Sequence, residues 1–350
     1  MQENHLLGWL NYYFLINYSW LTKCLKNLQP HRSIVDYRVM ATANVSSDKT
    51  KDSFLLEQLY CSLDLTAGIH GQLTFISVLN SFLSITAFLG NALMLVALRK
   101  ESSLHPPSKH LLRTLTTTDL CVGLIAEPLF VTLLLVVVNE DRNICHYAAV
   151  AVSNLTYILC GVSLFTLTAI SVERLLALLL GLRYKQIVTL KRTYVITVIF
   201  CVVSTALSTF WNFLNFIVGS LHITIIVSLC LIICVFSYTT IFLTLRHHQN
   251  QVQGHVQQPN QTNQLNIARY KKAVSTVLWL QFMLVVCYLP FVIFVTLVIH
   301  TGPSSSVSLA CIYSSTFVFL NSSLNPILYC WKIDEVRQAV KEIIRQVLCY

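Results

Sequence analysis

The sequence predicts an all-α membrane protein, a seven-transmembrane helix bundle followed by a C-terminal amphipathic surface helix. Three observations carry that reading. Seven apolar runs are each long enough to cross about 30 Å of hydrocarbon, which takes roughly 20 helical residues. Short connections rich in Lys and Arg alternate with connections almost free of them. The stretch Asn321-Ser322-Ser323-Leu324-Asn325-Pro326 carries two amides, two serines and a proline through hydrocarbon depth, where lipid offers no hydrogen bonds, so this helix needs other helices around it. Composition agrees. Of 350 residues, 55% are hydrophobic and 11% charged, and the mean hydropathy is +0.64, far more apolar than a soluble domain of this size. The formal net charge of +9 lies beside apolar segments rather than in an aromatic-interleaved patch, so it sets topology and argues against nucleic acid as a partner.

Residues 1–71 read as an extracellular N-terminal segment. Leu6 to Leu25 is apolar but interrupted by Asn11, Asn17 and Lys23. A signal anchor or an eighth helix is one reading; the poor pattern favours the other, an upstream extension over residues 1–40 with Met40 as an alternative start. Asn44-Val45-Ser46 is a glycosylation acceptor pattern on the outer side, whereas Asn154-Leu155-Thr156 and Asn321-Ser322-Ser323 match it inside membrane segments and should be unmodified.

The bundle occupies residues 72–331, with runs near 73–98, 111–138, 148–172, 194–218, 221–245, 274–299 and 307–331. The first contains Gly90-Asn91. The second holds Asp119 and Glu127-Pro128; a charge at mid-membrane costs about 2.5–3.5 kcal/mol on insertion scales, so such residues face the bundle interior and have partners. The third offers Asn154, Thr156 and Ser163 and ends in Ser171-Val172-Glu173-Arg174-Leu175. A very short connection around Ile217 to His222 joins the fourth and fifth runs, and a Gln- and Asn-rich one, Arg246 to Tyr270, joins the fifth and sixth. The sixth is broken by Pro290 in Cys287-Tyr288-Leu289-Pro290-Phe291.

Basic residues orient the bundle, because short loops rich in them stay cytoplasmic. Arg99, Lys100, Lys109 and Arg113 sit in the first connection, Arg174, Arg183, Lys185, Lys191 and Arg192 in the third, Arg246, Arg269, Lys271 and Lys272 in the fifth and Lys332, Arg337, Lys341 and Arg345 in the tail, against Arg142 alone in the opposite connections. The N-terminus is therefore expected outside and the C-terminus inside. In residues 332–350, Ile333, Val336, Val340, Ile343, Ile344 and Val347 recur at helical spacing. This apolar stripe would lie on the inner membrane surface with lysines and arginines toward the lipid headgroups. Cys349 at its end is either palmitoylated or a free thiol.

Together these residues resemble the rhodopsin-like (class A) G-protein-coupled receptors over about residues 73–349. The matching positions are Gly90-Asn91, Asp119, Glu173-Arg174 where the family has Asp-Arg-Tyr, Tyr238, Cys287 and Pro290 where it has Cys-Trp-x-Pro, and Asn325-Pro326-Ile327-Leu328-Tyr329 as Asn-Pro-x-x-Tyr. Cys230 in place of the helix 5 proline, and the short second outer loop, are reminiscent of the melanocortin, cannabinoid and adenosine branch.

The resemblance implies a plasma-membrane receptor that binds an extracellular small molecule or short peptide. It would activate heterotrimeric G proteins by opening of helix 6, with arrestin as a further partner. No organic cofactor is implied. A sodium ion would sit among Asn91, Asp119, Ser163, Asn321, Ser322 and Asn325; the alternative is a protonated, hydrogen-bonded Asp119 without an ion. Glu173, Arg174, Tyr238, Pro290, Pro326 and Tyr329 would form the activation and coupling set. By the family's geometry the ligand pocket would draw on Glu127, Thr156, Trp211, His222, Tyr288, Phe291, Phe294 and His300. Glu127 would either meet a cationic ligand group or serve as a water-bridged carboxylate facing the vestibule.

Departures from the family pattern leave a receptor-like, non-signalling scaffold as a rival. Leu175, Tyr288, Leu284 and Cys201 replace usual residues, and Tyr270 stands where some members have an acid restraining the arginine. A transporter is disfavoured because no repeat relates two halves. An enzyme is excluded by the lack of any assembled nucleophile, base and orienter. The family's usual bridge joins the top of helix 3 to the second outer loop, which here has no cysteine. Cys61 or Cys311 pairing with Cys145, and free thiols, all remain open.

Overall fold

The computed structural model describes residues 60–62, 68–100, 104–211, 216–255, 282–298 and 304–332, with isolated positions at 279, 300–301, 337–338, 340–342 and 345. Residues 1–59, with Leu6–Leu25 and Asn44, and also Tyr270 and Cys349, lie outside the described residues. The described residues are helical apart from short turns, without a strand.

The helices are α1 (His70–Lys100), α2 (Pro106–Val138), α3 (Arg142–Leu180), α4 (Leu190–Trp211), α5 (Phe216–His255), α6 (Phe282–Val298) and α7 (Ser305–Lys332). All except α6 are long and apolar enough to cross a membrane; α6 is a shorter apolar helix over its described length. α1, α3, α5 and α7 overrun their apolar runs at both ends and α2 at its start, whereas α4 ends at Trp211 and α5 already begins at Phe216, inside the stretch read as the fourth run and its connection. A helix is propagated by its backbone bonds, not by hydrophobicity, and continues until something stops it. α3 starts on Asp141, whose carboxylate accepts from Ile144 N, and stops at Gly181 with φ +50°, a left-handed cap that glycine tolerates. α5 continues through Arg246 into the Gln-rich connection to His255, where the described stretch ends.

α2 is not uniform. Between the α-helical pieces Pro106–Cys121 and Glu127–Val138, the backbone widens into a π turn over Val122–Ala126. Pro128 has no N–H to give the carbonyl of Leu124, and a π turn absorbs the lost register. Asp119 thereby sits just before the widened turn and Glu127 just after it.

The core runs along the bundle axis through Leu73, Ile76, Leu115, Phe130, Ile312 and Phe319, all essentially inaccessible. Phe130 of α2 and Phe319 of α7 meet edge-on with ring centroids 5.3 Å apart. Val198, Val202, Ile225, Ile232 and Phe236 of α4 and α5 point outward, the side that lipid covers. Small and polar side chains lace α1 to its neighbours. Ser84 Oγ donates to Gly123 O at 2.7 Å, Asn80 Nδ2 to Thr316 Oγ1 at 3.0 Å and Ser323 Oγ to Leu83 O at 3.0 Å. Pro326 sits against Gly90, where a Cβ would lie 3.0 Å from the proline Cγ. Beyond α7, Val340 is buried while Gln338, Lys341, Glu342 and Arg345 are exposed on helical backbone, as one face of a surface helix requires.

Candidate functional site

At mid-bundle Asp119 is fully buried and gathers three helices. Its Oδ1 accepts from Ser163 Oγ of α3 and from Ser322 Oγ of α7, both at 2.9 Å, and its Oδ2 accepts from Asn325 Nδ2 at 2.7 Å. Asn91 joins this cluster through the backbone, donating to Ser322 O at 3.0 Å as well as to Ala87 O at 2.8 Å. Asn321 is also buried, and its Nδ2 has no acceptor among the described residues. The cluster therefore brings together five of the six residues named for it. A carboxylate with two hydroxyl oxygens at hydrogen-bond distance is a hard, all-oxygen set of the kind alkali and alkaline-earth cations take.

Glu127 lies apart from these donors. It is fully buried and neither carboxylate oxygen meets a donor among the described residues. An unpaired carboxylate in such a place is costly unless it holds a proton.

Near the C-terminal end of α3, Arg174 is 46% exposed and its Nε stands 3.4 Å from Glu173 Oε2. Glu173, 5% exposed, turns its other oxygen to Ser108 Oγ at 2.6 Å and to the hydroxyl of Tyr184, in the one-turn helix Tyr184–Ile187 after α3. Burial, then the bond to Glu173, pushes the Tyr184 hydroxyl up to about 12, so it is a neutral donor at physiological pH. Tyr238 and Tyr329 are both buried. Ser108 and Tyr184 went unnoticed in the sequence; a hydroxyl in a basic loop carries no periodic signal.

The halves of α3 to α7 away from Arg174, with Phe130 of α2 and Tyr60, enclose a cavity with about 1260 Å³ of empty space, its open mouth included. Of the residues named for a ligand pocket, Thr156, Tyr288, Phe291 and Phe294 line it, and so do Tyr60, Ser204 and Phe319, which were not named. Glu127 is not on its wall. His222 and His300 are also off the wall and exposed, His222 Nδ1 lying 3.1 Å from Val218 O. The side chain of Trp211 is outside the described residues. No charged side chain lines the cavity among the described residues.

The disulfide left open by the sequence joins Cys61 to Cys145, with Cα atoms 5.9 Å apart. Cys311 is free and lies 3.1 Å from the Tyr60 hydroxyl. Tyr60, beside Cys61, is thus held over the cavity from two directions. Cys61 was the available pointer to it.

Comparison with known proteins places these features in a family. The family model described as "7 transmembrane receptor (rhodopsin family)" matches residues 90–217 and 214–329. Melanocortin receptor 5 of Rattus norvegicus is 27% identical over 274 residues, covering 75% of this chain and 82% of the relative. Melanocortin receptor 4 of Danio rerio is 28% identical over 297 residues, covering 79% and 86%. Adenosine receptor A2b of Rattus norvegicus is 37% identical over 103 residues, 29% of this chain and 30% of the relative. With the apolar helices already described, these matches identify a multi-pass plasma-membrane receptor, not an enzyme. The chain belongs to the rhodopsin family of seven-transmembrane receptors.

Proposed function

We propose that this receptor binds an extracellular small molecule or short peptide in the cavity between its outer helix halves and activates heterotrimeric G proteins by an outward swing of α6. One observation carries the reading: the Asp119 cluster ties α2, α3 and α7 together beside the inner edge of the cavity, on the side toward Arg174. Tyr288 and Phe319 form part of the cavity wall, and the helix prolines Pro290 and Pro326 supply pivots. An agonist that binds the open arrangement better than the closed one shifts the population toward it. Arg174, half exposed and 3.4 Å from Glu173, is then available to a G protein, while Tyr238 and Tyr329 turn inward behind the moving helix. Basic residues of the inner connections put the C-terminus inside, where arrestin is a second partner and the 333–347 stripe rests on lipid.

We place a sodium ion against Asp119 in the resting state, with the Ser163 and Ser322 hydroxyls turned to offer oxygen. The ion would supply the positive charge a buried carboxylate otherwise lacks. The names of the relatives point to melanocortin and adenosine receptors, and the mostly apolar cavity suits ligands of modest size. The test is a ligand screen in cells with a readout independent of G-protein class, run beside Arg174→Ala. An agonist response abolished by Arg174→Ala is expected. A ligand that binds the cavity without any G-protein response would favour the non-signalling scaffold.

A further inference from the structure

The cavity wall says what kind of molecule it takes. It is built from Phe130, Phe165, Leu207, Ile223, Phe291 and similar side chains, and no carboxylate, ammonium or guanidinium reaches it among the described residues. A charged ligand group buried there would lose its hydration without gaining a counter-charge, a penalty of several kcal/mol. Two wall hydroxyls lack partners among the described residues: Ser204 Oγ, on a residue 2% exposed, and Thr156 Oγ1. Helix hydroxyls in this protein commonly donate to the carbonyl four residues back, as Thr166, Thr168 and Ser171 do. Ser204 and Thr156 stand apart from that habit on the cavity wall. A buried hydroxyl left unpaired costs free energy that a ligand hydroxyl or ester can recover.

The route in is equally specific. On the outer side Tyr60 forms part of the cavity wall, 7% exposed, its hydroxyl at Cys311 and its neighbour Cys61 bonded to Cys145. Toward the lipid the wall passes from α3 to α4 to α5, both of which pack on α3. Its members there, Phe165, Leu207, Ile223 and Ile226, are only half-buried. Exposed Val203, Phe210, Leu221 and Ile225 continue the same apolar surface outward.

Granting that this cavity is the receptor's ligand site, we propose that its ligand is an uncharged amphiphile with a long apolar body and a small hydroxyl- or ester-bearing head, delivered from the bilayer between α4 and α5. The head meets Ser204 and Thr156, and the apolar body fills the space toward Phe291 and Phe294.

The test uses the full-length receptor reconstituted in phosphatidylcholine bilayers. The probe is a photoreactive, alkyne-tagged monoacylglycerol, and its attachment sites are mapped by peptide mass spectrometry. Labelling of the α3, α4 and α5 wall, competed by unlabelled monoacylglycerol, is expected. Ser204→Ala and Thr156→Val each weaken that competed labelling about three- to tenfold, the worth of a hydrogen bond. Leu207→Trp and Ile223→Trp, on opposite sides of the rim, slow labelling, and their unfolding midpoints verify that they fold. Tyr60→Ala, which removes a wall side chain, does not speed labelling. The proposal is overturned if labelling is not competed and spreads over outward residues such as Val198 and Phe236, or if a carboxylate probe of the same chain length labels the cavity equally well. It is also overturned if Tyr60→Ala accelerates labelling while folded rim variants do not slow it, which is the signature of entry from water. G-protein activation on the same preparation separates the two readings. Cavity labelling without signalling removes only the receptor mechanism, whereas signalling by a charged, water-soluble agonist without cavity labelling removes only the ligand class proposed here.

Discussion

Asn325 of α7 donates its side-chain amide to Asp119 Oδ2 of α2 at 2.7 Å, closing a bond between residues 206 positions apart. Removing the donor by Asn325→Ala leaves a fully buried carboxylate oxygen short of a partner, which costs about 1–3 kcal/mol. A lower unfolding midpoint of the purified receptor is expected. In an Asp119→Asn background the same substitution should cost markedly less, because the two residues act as one unit.

The same carboxylate sets the expected response to sodium. Replacing choline chloride by sodium chloride at constant ionic strength should raise the unfolding midpoint of the unmodified receptor, since an ion that binds only the folded state stabilises it by mass action. Asp119→Asn should flatten that response. An equal rise in both proteins would remove the ion from the cluster.

Glu173 divides its carboxylate between Arg174 and the pair Ser108 and Tyr184. Glu173→Gln removes the charge that holds Arg174, and ligand-free G-protein signalling should rise at least about twofold, a shift well under 1 kcal/mol in a two-state equilibrium. Arg174→Ala in the same cells should abolish the signal. Unchanged basal activity in Glu173→Gln would mean that this contact does not restrain the resting state.

Gly123 lies where α1 and α2 are closest. A Cβ there would sit 2.7 Å from Phe88 N and 2.9 Å from Ser84 O, backbone atoms that cannot turn aside. Gly123→Ala should destabilise by about 1–3 kcal/mol through overpacking and loosen the Ser84 bond. Gly71→Ala, with nothing within 4 Å, is the matched control and should leave the midpoint nearly unchanged.

The Cys61–Cys145 bridge spans 84 residues. On loop-entropy grounds a closure of that size contributes about 4 kcal/mol. Cys61→Ala, Cys145→Ala and the double variant should lower the unfolding midpoint by the same amount, because either change alone already breaks the bond. Non-reducing peptide mapping verifies the pairing.

The helices were legible because membrane spans announce themselves: apolar length, basic loops and prolines are local properties. So were Asp119, Ser163, Ser322 and Asn325, since polar residues at hydrocarbon depth are conspicuous. The cavity was less legible. Glu127 stands out in the sequence, but the π turn before it buries it off the wall, and no residue pattern here spelled out that turn except Pro128. His222 and His300 fell at helix ends, where a small change in depth separates a wall from the surface. Ser204 and Tyr60 matter through what faces them across the bundle, which one-dimensional spacing does not encode. The partner of Cys145 had the same character: two candidates fitted, and only the placement of residues 60–62 decides between them.

Helix α7 has the lowest mean hydropathy of the six long spans, 1.4, because Asn321, Ser322, Ser323 and Asn325 are needed for contacts inside the bundle. It also leaves the ribosome after the helices that satisfy it. During biosynthesis Asp119 and Asn91 therefore wait in the membrane without their α7 partners, and α7 is the span least able to partition into lipid unaided. Its entry is coupled to docking on α1 and α2. The residues that join the cavity to the Arg174 end thus also govern whether the nascent chain completes its bundle or is left to quality control.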